Sequence, residues 1–194
     1  MTRIAKKQFI LDSALAMVRK AGFEAVSIAN LAREVGMSKS GLFAHFNSKE
    51  KMHVMILDHA ALAYNEEVLV PAIKLERGLV RLEAIVKNTA TWNGCAKKGG
   101  CPFVTAAVEY DSRPGAVRDR VQLHLGNLIK VLTKAIKICV DEKHLKENTD
   151  IHQLAFEIYS IGLGSMVFRK TLMSPQADQY LENGIKNTLK GHLA

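Results

Sequence analysis

The sequence predicts an all-α protein of nine helices, and three observations lead there. Apolar residues recur at three- and four-residue spacing through most of the chain, and nowhere do they alternate convincingly at period two. The two hairpin-type dipeptides, Asn93-Gly94 and Asn183-Gly184, lack flanking strand-like runs. Capping and breaking residues fall at helix-length intervals, from Gly22 and Ser27 to Pro175.

In MTRIAKKQFILDSALAMVRKAG, Ile10, Ala14, Met17 and Ala21 share one face of a first helix, which Gly22 ends. Bases followed by apolar residues look like a secretory signal at first sight, but Asp12 and Ser13 interrupt the apolar run. Ser27 opens the second helix, and the turn Gly36-Met37-Ser38 leads into the third. Asn47 with Glu50 has capping-box spacing, which predicts the start of a long fourth helix ended by Pro71. A fifth runs towards Trp92 with Leu79, Leu82, Val86 and Thr89 on one face.

The stretch NGCAKKGGC, Asn93 to Cys101, is expected to be a loop because of its three glycines. Pro102 suits the first turn of a sixth helix, and Arg113-Pro114-Gly115 breaks it. The seventh carries a near-heptad stripe of Val117, Val121, Leu125, Leu128, Leu132, Ile136 and Cys139. Asp141 to Asn148 reads as a solvated connector. Thr149 or Asp150 then caps the eighth helix, which runs to about Met173, and Ser174-Pro175 caps the ninth.

The composition of the 194 residues, 48% hydrophobic and 24% charged, suits a globular chain with one good core or two small ones. The formal net charge is +8, unevenly placed: residues 1–53 hold nine Lys/Arg against four Asp/Glu, the remainder eighteen against fifteen. Any polyanionic partner is therefore expected at the amino end. Glu157 breaks the best apolar run short of the roughly 18 residues of a membrane span, so no membrane partner and a cytoplasmic location are expected. Three cysteines, an odd number, do not suggest a disulfide scaffold.

The most informative stretch is SIANLAREVGMSKSGLFAH, Ser27 to His45. Ala32 and Gly36 are four apart, with Leu31, Val35, Met37 and Leu42 around them. A small Ala32 lets a second helix approach closely, and Gly36 can take the left-handed conformation that ends the first. This is helix-turn-helix spacing. If residues 38–45 form the second helix, Leu42 and Phe46 face inward, leaving Lys39, Ser40, Gly41, Ala44 and His45 outward. That short polar face fits a major groove about 12 Å wide. Ser27, Lys49 and Lys6 are placed to meet phosphates.

The segment from Ile10 to Met52 closely resembles the N-terminal domain of TetR-family transcriptional regulators. The resemblance rests on Gly22-Phe23, Ser27, Leu31-Ala32, Gly36, Ser38-Lys39, Leu42-Phe43, His45-Phe46 and Ser48-Lys49-Glu50, about the first quarter of the chain. It implies a nine-helix homodimer divided into a helix-turn-helix DNA-binding domain, 1–48, and a ligand-binding and dimerisation domain, 49–194. Three N-terminal helices would bind a double-stranded DNA operator, helices four to seven would enclose a small-molecule effector, and the last two would form a four-helix dimer interface. The DNA-binding set on this reading is Ser27, Ser38, Lys39, Ser40, Gly41, Phe43, His45 and Lys49. Three positions depart from the family's habit. Phe43 stands for a usual Tyr and lacks its hydroxyl, Asn47 replaces a common Pro, and Ser27 replaces a common Thr.

Outside that segment, Cys95 and Cys101 flank a loop with Lys97 and Lys98, cations that lower a thiol pKa, which makes the pair a candidate redox or electrophile sensor. Their spacing, C-x5-C, is not that of a zinc site, and no metal is expected. Trp92, Phe103, Tyr110, His124 and Tyr159 are candidates to line an effector cavity, although aromatic residues at such spacing equally form core. Gly162, Gly164 and Ser165 permit close helix approach, as a dimer seam requires. No triad, nucleotide loop or cofactor motif is present, which argues against the rival reading of a small helical transferase or redox enzyme. A second rival, a helical module docking protein through its corner, would bind its partner without salt dependence. The expectation is a ligand-responsive, sequence-specific transcriptional regulator: a repressor released from a pseudo-palindromic operator by a small molecule or by cysteine modification.

Overall fold

The structure is a computed structural model and describes residues 2–94 and 99–194, without the Arg3 side chain. Its helices are α1 (Arg3–Ala21), α2 (Ile28–Glu34), α3 (Lys39–Phe46), α4 (Lys49–Tyr64), a π-helical turn (Asn65–Leu69), α5 (Val70–Ile73), α6 (Leu79–Gly94), α7 (Pro102–Glu109), α8 (Ala116–Asp141), α9 (Ile151–Lys170) and α10 (Ala177–Lys190). The π turn joins α4 and α5 into one unbroken helical stretch, so the described residues form nine helices in the expected order. Among them there is no strand, only one isolated antiparallel bridge between Leu145 and Leu193.

Two compact units share the chain: residues 1–64 with 95–126, and residues 65–94 with 127–194. In the first, α1 buries Ile10, Leu11, Ala14, Leu15 and Val18. The inward face is thus turned from the predicted one, since Met17 is half-buried and Ala21 exposed. The reason is apolar area: adding Leu11 and Leu15 to the stripe removes more carbon from water than Met17 and Ala21 would. Phe23, Val26, Leu31, Leu42, Phe46 and Met52 are among the other buried residues of this unit. In the second unit, Leu82 and Ile85 of α6, Ile136 and Cys139 of α8, Leu154 of α9 and Ile185 of α10 belong to one apolar cluster.

Several boundaries differ from expectation for physical reasons. Asn47 does not open α4; it closes α3 in the left-handed conformation, φ 64°, which Asn tolerates better than most residues. Ser48 caps α4 instead, its Oγ accepting the Lys51 amide at 3.0 Å. Pro71 does not end the helix. It sits in the first turn of α5, where a missing N–H costs little, and the wider π turn just before it relieves the crowding a proline imposes on residue i−4. Asn88 supports that turn by donating to the Val68 carbonyl at 3.0 Å.

The fifth predicted helix, α6, continues through Asn93 and Gly94, so the loop starts later than its glycines suggested. On α8 only the two ends of the apolar stripe are buried; Leu125 and Leu128 are half-exposed. Leu145, within the supposed solvated connector, is 1% exposed, the bridge to Leu193 holding that segment down. Asp150, not Thr149, caps α9, accepting the His152 and Gln153 amides. Pro175 lies in the turn before α10, and the Ser174 hydroxyl donates to the Gln176 side chain rather than to a helix amide.

Candidate nucleic-acid interface

The punctuation between Ser27 and Asn47 resolves into two capped helices. Ser27 Oγ accepts the Asn30 amide at 3.1 Å and Ser38 Oγ accepts the Gly41 amide at 3.1 Å, each closing a first turn. Gly36, φ +66°, ends α2 in a Schellman arrangement, with Met37 N–H bonded to the Ala32 carbonyl at 2.9 Å and Gly36 N–H to that of Arg33 at 3.4 Å. A side chain at Gly36 would meet open space, so it is backbone conformation that favours glycine there.

Leu42 and Phe46 anchor α3 inward, with at most 1% of either exposed. Its other side presents Lys39, Ser40, Phe43 and Ala44 to solvent, with Gly41 and His45 half-buried beside them. Ser38 is exposed, and its Oγ lies 3.3 Å from that of Ser40. Ser27 is half-buried. Both Ser27 and Ser38 accept one amide and keep a hydroxyl hydrogen to donate. Lys49 is half-exposed and pairs with Glu24 at 3.5 Å, and Lys6 is exposed on α1. Phe43, 49% exposed, is not packed away.

This head is held by contacts that the sequence did not reveal. Glu109, at the end of α7, accepts the Phe23 amide at 3.1 Å and the Glu24 amide at 3.0 Å. Arg113 pairs with Glu24, and these two cations, Arg113 first and Lys49 second, hold the Glu24 carboxyl below its usual range. Tyr110 bonds to His53 on α4, both rings packing edge-on against Phe23. Glu50 accepts the Ala116 amide at 3.3 Å. The hydrogen-bonded partners Phe23 and Glu24 with Glu109, Glu24 with Arg113, His53 with Tyr110 and Glu50 with Ala116 lie 57 to 89 positions apart, so no local pattern reveals them.

The five cavity candidates divide. Phe103 and His124 meet in the first unit, ring centroids 5.7 Å apart. Tyr110, in the same unit, is engaged with His53 and Phe23. Trp92 and Tyr159 belong to the second unit, Trp92 buried and Tyr159 packed partly against its core. Of the cysteine pair, Cys95 lies outside the described residues and Cys101 is 4% exposed. Burial also pushes the Cys139 thiol up to about 11. No group of three or more potential metal ligands occurs among the described residues.

Two family models match the chain: bacterial regulatory proteins of the tetR family over residues 10–53, and the tetracyclin repressor-like C-terminal domain over residues 78–185. No curated protein matches. Among solved structures, a TetR transcriptional regulator from Chloroflexus aurantiacus superposes with a TM-score of 0.85 at 20% identity, covering 98% of each chain. A TetR-family regulator from Cytophaga hutchinsonii reaches 0.82 at 18%, covering 100% of this chain and 98% of that one. AibR, solved with isovaleryl coenzyme A and operator DNA, reaches 0.70 at 18%, covering 93% and 96%.

Proposed function

The chain belongs to the TetR family of DNA-binding transcriptional regulators, and from that premise we propose that it is a homodimeric repressor released from a pseudo-palindromic operator by a small molecule. The observation that carries this reading is the division of α3: Leu42 and Phe46 are fully buried while Lys39, Ser40 and Phe43 stand in solvent. Lys39, Ser40, Gly41 and His45 are assigned to base edges or the groove, Phe43 to apolar contact with bases or sugar, and Ser27, Ser38, Lys49 and Lys6 to phosphates. Residues 1–48 would form the reading head and 49–194 the effector and dimer portion.

A dimer is supported by α9 and α10. Phe156, Val167, Phe168 and Tyr180 are all more than 40% exposed, and a side chain at Gly162 or Gly164 would meet open space. A second copy covering these residues would set two heads on half-sites roughly 34 to 36 Å apart. AibR, with its coenzyme A ester and its operator, is a relative in fold that carries both kinds of ligand. Release by a small molecule is favoured over modification of Cys101, which is buried, because a shielded thiol reacts slowly. No described helix is long and apolar enough to cross a membrane, and the proposed site of action is the cytoplasm.

Selection of genomic fragments on the purified full-length protein, followed by footprinting, tests the reading. The expected result is protection of a two-fold repeat, including one upstream of the protein's own gene. Uniform retention of all fragments, or none, overturns it.

A further inference from the structure

The Glu24 carboxylate, in the corner between α1 and α2, joins two cations from different parts of the first unit. Its Oε1 accepts from Arg113 Nη1, in the turn between α7 and α8, and its Oε2 lies 3.5 Å from Lys49 Nζ at the start of α4. Each cation thus has its own oxygen. All three side chains remain about half exposed. Two of the three groups are fixed and the third is held by charge alone. The Phe23 and Glu24 amides donate to Glu109, which pins the corner. The Arg113 guanidinium lies over the Tyr110 ring, 5.8 Å from Cζ to centroid, and Tyr110 is bonded to the buried His53. Lys49, at 3.5 Å, stands beyond the usual hydrogen-bond range.

We infer that Arg113 is a positioning residue for DNA binding: when Lys49 leaves Glu24 for a DNA phosphate, Arg113 takes up the abandoned carboxylate oxygen and keeps that carboxylate from opposing the phosphate. The inference rests on the assignment of Lys49 to a phosphate. A guanidinium suits the task because its five N–H donors form a planar fork that matches two carboxylate oxygens at once. Among the described hydrogen bonds Arg113 gives Glu24 only Nη1. The second oxygen can therefore be taken without giving up the first.

An exposed Lys–Glu pair is a weak bond to break. Breaking it next to an incoming phosphate would, however, leave a bare carboxylate facing a like charge. With Arg113 in place the cluster passes from two cations sharing one carboxylate to one neutral pair and one free cation. The sum of charge is the same in both states; what changes is that the surplus now sits on Lys49, where the phosphate is. The turn after α7 thereby sets the affinity of the head without touching the duplex.

Anisotropy titrations of the full-length protein on a random-sequence duplex and on the duplex selected from genomic fragments, at several salt concentrations, test this, because a phosphate contact acts on both alike. Glu24→Gln should tighten binding to both several-fold, a gain that a misfolded variant cannot show. Arg113→Gln should weaken both several-fold, since Glu24 then competes for Lys49 unopposed. The double variant, Glu24→Gln with Arg113→Gln, should bind as tightly as Glu24→Gln alone and with the same salt slope, because a neutral side chain at 24 needs no partner. If Arg113 itself holds a phosphate, the double variant binds more weakly than Glu24→Gln, its slope of log K against log salt is shallower by about one, and the inference is overturned. It is also overturned if Glu24→Gln fails to tighten binding or Arg113→Gln alone fails to weaken it. The expected cycle on the random duplex, with no operator selected, upholds the inference and removes the sequence-specific regulator. Operator binding with additive effects of the two variants does the reverse, and no binding to either duplex overturns both.

Discussion

The Tyr110 hydroxyl donates to Nδ1 of His53 across 2.6 Å, and the direction of that bond is fixed from the other side of the ring. His53 Nε2 lies 2.9 Å from the Val26 carbonyl, which can only accept, so Nε2 carries a hydrogen. Burial disfavours the imidazolium, and in the neutral ring Nδ1 is left to accept from Tyr110; the imidazole ties the start of α2, the first half of α4 and the end of α7 together. Burial is the main force on both groups, lowering the His53 pKa and pushing that of Tyr110 up to about 12.

This bond makes stability depend on pH. The folded protein binds a proton at His53 less readily than the unfolded chain does, so its stability is fully present above the unfolded value, about 6.5. It is lost as pH falls through the lower folded value. Denaturant midpoints measured between pH 8 and pH 5 should decline towards acid, and His53→Gln should flatten the slope. An identical slope in the variant removes His53 as its source. Tyr110→Phe keeps the ring and removes the donor, leaving Nδ1 unsatisfied at a cost of about 1–3 kcal/mol.

Glu109 accepts two amides from the corner between α1 and α2, and bonds to a charged acceptor contribute more than neutral ones. Glu109→Ala should lower unfolding free energy by about 1–3 kcal/mol. Glu109→Gln, which keeps one acceptor but turns an NH2 towards an amide donor, should fall between alanine and wild type. Because these amides belong to the reading head, operator affinity should fall in the same order, which a filter-binding titration of the three proteins reads directly.

What the sequence disclosed and what it withheld follow from the range of the interactions. Ser27, Gly36, Ser38 and the buried pair Leu42 and Phe46 act within one or two turns of their own position, and their roles were legible from spacing. The inward face of α1 was misplaced because apolar residues lie on both flanks of the stripe, and only its neighbours choose between them. Asn47 misled because a left-handed C-cap and an N-cap favour the same residue. Glu109, Arg113 and Asp58 carried no signal: each is an ordinary surface charge until folding brings it to a partner more than sixty positions away.

If α9 and α10 meet a second copy, their apolar side chains are buried only in the pair. Phe156, 64% exposed in the single chain, is the sensitive point. Phe156→Glu introduces two like charges across a two-fold interface, where a desolvated carboxylate is costly. Sedimentation should show a dimer for wild type and a monomer for the variant, with thermal stability of the monomer nearly unchanged. A variant that still sediments as a dimer would place the interface elsewhere.

Lys39 begins α3 and is exposed. Its ammonium makes no ion pair among the described residues. In the proposed complex it would displace about one condensed counterion from a phosphate or donate to a guanine edge. Lys39→Ala should therefore weaken operator binding and reduce the slope of log K against log salt by about one. The two roles separate by sequence. If Lys39 holds a phosphate, the alanine variant binds specific and non-specific DNA more weakly alike. If it reads a guanine, the variant loses about 1–3 kcal/mol on the operator alone and relaxes preference at one base pair. Titrations at several salt concentrations, on operator and on scrambled duplex, distinguish them. An unchanged slope together with unchanged affinity on both duplexes would falsify the assignment of Lys39 to DNA.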